Sequence, residues 1–263
     1  MRRYWAEYRT TEYADIDPAK TIAILPTAAI EQHGPHLPVG VDTMIAQGML
    51  DRLVADAPDD LDFRILPIQA VGKSNEHLHA PGTLTLAADV AMKAWIDIGL
   101  SVARAGVRKL VIVNSHGGNT DMNAIIAREL RVHADMLVAR CHWGAFGHPD
   151  GMYPPGELAY GIHGGDMETS LMLHFRPELV DMDKASDFRS SAQDIGAFTH
   201  LRPTGGTAYG WVATDLNAAG TVGNASVATP EKGEATCAHH VAGFIELLRD
   251  VERCDLGMLG TAP

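Results

Sequence analysis

Short, almost wholly apolar runs alternate along this chain with longer stretches in which apolar residues recur every three or four positions. The runs at 21–26 (TIAILP), 63–71, 109–113 (KLVIV) and 136–142 predict strands, the first of them buried. The stretch 42–56 has helical spacing, with Ile45, Met49, Leu50 and Leu53 on one face. Residues 88–105 predict a helix ended by Gly106. A further helix follows the turn at 114–119 and runs to about Val132, and 165–175 also has helical spacing. Residues 230–253 predict a long closing helix with Val241, Phe244, Ile245, Leu248 and Val251 inward. The Gly- and Pro-rich stretch 144–162 predicts a loop, and 183–227 reads as mostly irregular. Strands alternating with helices predict an α/β architecture.

In open α/β sheets, ligands bind beyond the carboxyl ends of the parallel strands. Polar residues cluster at those places. Glu31 and His33 follow the first predicted strand, Ser74 to His79 follow the second, and His116 ends the third.

The first cluster runs from Ala29 to Asp42. Glu31 and His33, two residues apart in extended chain, point the same way. Asp42 opens the following helix. Imidazole with carboxylates is a donor set for zinc, manganese or iron. A turn with an N-capping aspartate and a surface histidine explains the same letters. The second cluster, Asn114-Ser115-His116-Gly117-Gly118-Asn119, is a strand-to-helix turn without a nearby lysine. That fits a metal-ligating histidine better than a phosphate cradle. In the third, His163-Gly164-Gly165-Asp166-Met167-Glu168, a histidine and two carboxylates enter a helix, where acidic residues also serve as plain dipole partners. The fourth, residues 72–83, is a polar connection that could line a pocket. Trp143 is a candidate pocket wall, with core packing as its alternative. Cys141 beside His142 is not a nucleophile pair, because neighbours in a strand face opposite ways.

Composition narrows the partners. The 263 residues, 46 % hydrophobic and 21 % charged, suit one large globular domain over 1–263 or two small ones. A net charge of −12 without a Lys/Arg cluster argues against nucleic acid. No run reaches the roughly 18 apolar residues of a membrane helix. Three cysteines at irregular spacing are no disulfide framework, and the N-terminal segment lacks the apolar run of a signal peptide. The expectation is a cytoplasmic protein.

Taken together, these segments resemble the creatininase (creatinine amidohydrolase) family. The resemblance rests on Glu31-x-His33-Gly-x-His36-Leu-Pro-x-x-x-Asp42, Pro81-Gly82-Thr83, Ser115-His116-Gly-Gly-Asn119, His163-Gly-Gly-x-x-Glu168-Thr-Ser170, and the late Gly220-x-x-Gly223 with Ala228-Thr229-x-Glu231-Lys232-Gly233. It implies a three-layer α/β/α domain with a mostly parallel central sheet, and a homohexamer. It also implies one or two divalent ions per subunit, zinc first, manganese or iron otherwise. Carried over by position, Glu31 and His116 hold one metal, His33 the other, and Asp42 bridges them. His163 matches a proton-transfer histidine and Ser74 a substrate-contacting serine. Glu168 is either a ligand or a partner of His163.

The chain departs from creatininase itself at two places. Gly118 stands where creatininase has a carboxylate ligand, and Gly117 where it has a tyrosine. The reaction the resemblance implies is hydrolysis of a C–N amide bond, open or cyclic, in a small molecule by a metal-activated water. Deformylation of a formamide, carbon–carbon hydrolysis of a keto-sugar and a non-catalytic metal-binding oligomer are the alternatives.

Overall fold

The computed structural model describes residues 2–260. Its frame is a four-stranded sheet in which every pairing is parallel. The strands are β1 (Ile22–Thr27), β2 (Phe63–Ile65), β3 (Lys109–Asn114) and β4 (Leu137–His142), in the spatial order β2-β1-β3-β4. β1 and β3 are buried along their whole length, as continuous apolar runs in the middle of a two-sided sheet must be. β2 is shorter than the apolar run predicts. Leu66 N–H still donates to the Ile24 carbonyl, but Pro26 of β1 has no N–H to carry the ladder on, and pairing resumes only as a single bridge between Thr27 and Gln69.

Helices cover both faces and divide the core in two. On one side α2 (Ala88–Arg104) and α3 (Thr120–Ala134) bury Trp95, Val102, Ile126 and Leu130 against Leu25, Leu110 and Ile112. On the other, α1 (Val41–Asp56) packs Ile45, Met49, Leu50 and Leu53 onto the sheet. It is joined there by α5 (Asp166–Phe175) and α7 (Pro230–Arg253). This is the expected three-layer arrangement. The inward face of α7 matches expectation at Val241, Phe244, Leu248 and Val251, while Ile245 is only partly buried.

Two stretches hold more structure than their composition suggests. The Gly/Pro-rich segment contains α4 (Pro155–Tyr160), and the irregular region contains α6 (Ala213–Leu216) and an antiparallel pair, β5 (Asp187–Phe188) with β6 (Gly223–Asn224). Among the described residues, no helix is long and apolar enough to cross a membrane.

Candidate metal centre

All three loops that leave the carboxyl ends of β1, β2 and β3 deliver side chains to one buried place. The loop after β1 brings Glu31 and His33, and α1 starts with Asp42 in its first turn. His116 follows β3, the segment leading into α5 adds His163, and the first turn of α5 adds Glu168. Glu31, His33 and Asp42 are at most 2 % exposed.

The donor atoms form two triads that share Asp42: Glu31 with Asp42 and His116, and His33 with Asp42 and Glu168. Nδ1 of His116 lies 3.1 Å from Glu31 Oε1 and 3.6 Å from Asp42 Oδ2. Nε2 of His33 lies 3.6 Å from Asp42 Oδ1 and 3.7 Å from Glu168 Oε2. The other nitrogen of each ring faces a backbone carbonyl. His33 Nδ1 is 3.0 Å from Glu31 O, and His116 Nε2 is 2.9 Å from Lys73 O. An N–H donated there fixes the tautomer and turns a lone pair inward.

Three of the inward atoms, Glu31 Oε2, His33 Nε2 and Asp42 Oδ2, are buried and have no hydrogen-bond partner. Buried carboxylate and imidazole atoms left unpaired cost several kcal/mol unless a cation joins them. The donor set therefore fits a divalent metal, and its mixture of imidazole and carboxylate suits zinc, manganese or iron.

The titration behaviour follows from the same crowding. Burial disfavours a charged His33, yet Asp42, Glu168 and Glu31 together raise its pKa to about 9. Burial pushes the Asp42 and Glu168 carboxyls up. Burial also works on Glu31, but His116, His163 and His33 hold it below the usual carboxylate range. Without a cation the cluster keeps protons to neutralise itself, and a metal competes with those protons for the same atoms.

His163 stands beside the triads as the middle ring of a stack. Its centroid is 4.2 Å from His33 and 4.3 Å from His77. Its Nε2 lies 2.7 Å from the Gln32 carbonyl, and its Nδ1 faces Glu31 Oε1 at 3.6 Å. Burial and the neighbouring His33 keep it well below the usual histidine pKa. Gly164, at φ +66°, makes the turn that aims this histidine, and Thr221 Oγ1 donates to the His163 carbonyl at 2.6 Å.

Other candidates sit differently. Ser74 is fully buried, with Oγ 3.2 Å from His116 Nε2. Trp143 packs in the core against Phe244, and its indole N–H donates to Ser115 Oγ. Asp166 leaves the cluster to pair with Lys232 at 2.6 Å. Burial lifts the Cys141 thiol to about 12, so it offers no nucleophile. His240 is buried, with Nε2 3.0 Å from the Gly147 carbonyl.

Sequence reasoning passed over Gln32, Glu76 and His77, all buried at the site. His77 Nε2 approaches Glu31 Oε1 at 3.5 Å, and its Nδ1 contacts Gln32 Nε2 at 2.8 Å. The only signal for Glu76 and His77 was the polar run after the second predicted strand.

The creatininase model, described as creatinine amidohydrolase, matches residues 6–248. The chain belongs to the creatininase family. It is 30 % identical to the creatinine amidohydrolase of Pseudomonas putida over 94 % of both chains. It is 31 % identical to a mycofactocin precursor peptide peptidase of Mycobacterium ulcerans, over 83 % of this chain and 80 % of that one. A solved mutant creatininase of Zn-Zn type, 26 % identical, superposes with a TM-score of 0.75, covering 97 % of this chain and 100 % of its own. In this chain the clustered histidines and carboxylates lie beyond the carboxyl ends of the parallel strands.

Proposed function

We propose that this chain is a divalent-metal amidohydrolase that adds water across a C–N bond of a small molecule. The observation that carries the reading is the pair of triads sharing Asp42, with three unpaired buried atoms turned into the space between them. Glu31, Asp42 and His116 would hold one ion, and His33, Asp42 and Glu168 the other. Zinc is the first assignment, one or two ions per subunit, with manganese or iron as alternatives on the same donors. The resemblance to a Zn-Zn creatininase supports that choice. When bound, such a metal polarises a carbonyl oxygen and lowers the pKa of a water toward neutrality.

The chain's own residues supply the proton transfer. His163 keeps its Nε2 proton on the Gln32 carbonyl, so Nδ1 is the atom facing the reacting space. From there it takes a proton and hands it to the leaving nitrogen as general acid. The stack with His33 and His77 holds the ring in that orientation. Glu168 reaches His33, not His163, which supports its role as a ligand. Ser74 serves the His116 ring more directly than the substrate, given its burial. With Trp143 in the core, the substrate pocket takes its wall from elsewhere.

One observation favours a peptide as the C–N substrate. Gly117 beside His116 is exposed, and a Cβ there meets nothing within 4 Å. An open rim admits an extended chain, and a peptidase is among the relatives.

Metal content of protein purified without added metal tests the reading, for wild type, His33→Ala and His116→Ala. About two ions in wild type, fewer in each variant, support the binuclear site. A screen of lactams, formamides and short peptides, with sedimentation for the homo-oligomer, then separates the substrates. Activity that survives thorough chelation would sink the proposal.

A further inference from the structure

His116 is gripped from behind as well as from the front. While Nδ1 faces Glu31 and Asp42, Nε2 faces a small polar shell made by the loop after β2. Lys73 gives its carbonyl at 2.9 Å, Ser74 its hydroxyl at 3.2 Å and Glu76 its carboxylate Oε1 at 3.5 Å. The Glu76 side chain is only 10 % exposed, and its other oxygen pairs with Lys73 Nζ at 2.9 Å.

The loop is fixed in place at several points. Lys73 N–H donates to Asn119 Oδ1 at 3.1 Å, and Ser74 N–H donates to Thr85 Oγ1 at 2.8 Å. The Asn119 amide in turn donates to the Ala28 carbonyl at 3.0 Å. Glu76 is thus carried by a braced loop into a space that Gly118 leaves empty of side chain. A Cβ built at Gly118 falls on Glu76 Oε1 and within 2.5 Å of His116 Nε2 and the Lys73 carbonyl oxygen. The carboxylate and any side chain at 118 exclude one another.

We propose that Glu76 is a positioning residue for the metal centre, its carboxylate backing the Nε2–H of His116 in the space kept open by Gly118. A carboxylate behind an imidazole N–H fixes the ring and makes the opposite nitrogen a stronger donor. Lys73 holds Glu76 by its second oxygen, so the arrangement reads Lys73–Glu76–His116–metal. Nothing in this assignment makes Glu76 a ligand. It acts through His116.

This inference rests on the metal-hydrolase reading, and the test keeps the two apart. Zinc affinity is measured by competition with a chromophoric chelator, and Co(II)-loaded protein is followed by its visible absorption. Wild type is compared with Glu76→Ala and Glu76→Gln, with circular dichroism as the check on folding. Glu76→Ala is expected to lose roughly 10–100-fold in affinity for one ion and to change the Co(II) bands. Glu76→Gln, which keeps shape and an acceptor oxygen, is expected to lose less. Should the alanine variant not fold, the glutamine variant decides by its own loss of affinity. Variants that bind and absorb like wild type overturn the role of Glu76 while leaving the hydrolase intact. A wild type that binds no zinc overturns both.

Discussion

Glu168 Oε2 lies 3.7 Å from Nε2 of His33, with its carboxylate steadied by the Gly164 N–H at 2.5 Å. On the proposed reading, that contact counts the glutamate among the ligands and leaves His163 for proton transfer. The two residues therefore respond differently to substitution. Glu168→Gln is expected to lower metal content from about two ions toward one. His163→Ala is expected to keep both ions and lose about 10²–10⁴-fold in kcat. Elemental analysis beside steady-state kinetics reads both, and equal metal loss in the two variants would count against the division.

The helix that carries Glu168 depends on an unusually close crossing. A Cβ at Gly233 of α7 would fall on the Ser170 carbonyl oxygen of α5, and within 2.8 Å of the His174 Cβ. Backbone and helix interior cannot yield as a flexible side-chain tip can. Gly233→Ala is expected to cost ~2 kcal/mol by overpacking. It should also weaken metal binding, because α5 moves with its glutamate. Denaturant midpoints and zinc titration check this; an unchanged midpoint would show that the crossing relaxes freely.

The sheet and most of the candidate ligands were readable because they are local. Apolar runs mark β1 and β3, and Glu31 and His33 stand two residues apart in the loop that leaves β1. Asp42 and His116 fall at the helix and strand ends where such sheets bind ligands. The residues that escaped owe their place to tertiary closure. Glu76 reaches His116 from 40 positions earlier only because the β2 loop folds over the start of α3. Ser74 and Trp143 carry pocket-like chemistry in sequence, but burial turns one to His116 and the other to Phe244. Pro26 of β1 shortened β2 by withholding the backbone donor that would meet Leu66 in an otherwise strand-like run.

His240 makes a pH prediction away from the metal. Burial, with His148 close by at 3.3 Å and His239 and His142 near, lowers its pKa to about 4, against the Gly147 carbonyl, which favours the charged form. The unfolded chain takes up this proton near the ordinary histidine value of about 6.5. As pH falls, the unfolded state therefore binds protons first. The stabilisation is complete above pH ~6.5 and is lost between there and pH ~4. It amounts to something on the order of 2–3 kcal/mol. His240→Gln should flatten stability against pH in that window relative to wild type; parallel curves would reject the assignment.

Glu157 governs the opposite side of the centre. Its two oxygens accept from the Asp166 N–H at 2.8 Å and the Asn224 N–H at 2.9 Å, joining the start of α5 to β6. Gly161, Gly165 and Gly223 crowd the carboxylate, so no side chain larger than hydrogen fits around it. The same two strands of chain meet where the Val222 N–H donates to the His163 carbonyl at 2.8 Å. Glu157 thus fixes the segment that aims His163 without touching it. Each hydrogen bond to a charged group is worth about 1.5–3 kcal/mol, and partial exposure puts these at the low end. Glu157→Ala is expected to expose the Asp166 and Asn224 amides to hydrogen exchange and to reduce kcat more than KM changes. Glu157→Gln keeps one good acceptor and should fall between. Full amide protection in the alanine variant, with normal kcat, would show that His163 is aimed by its ring stack alone.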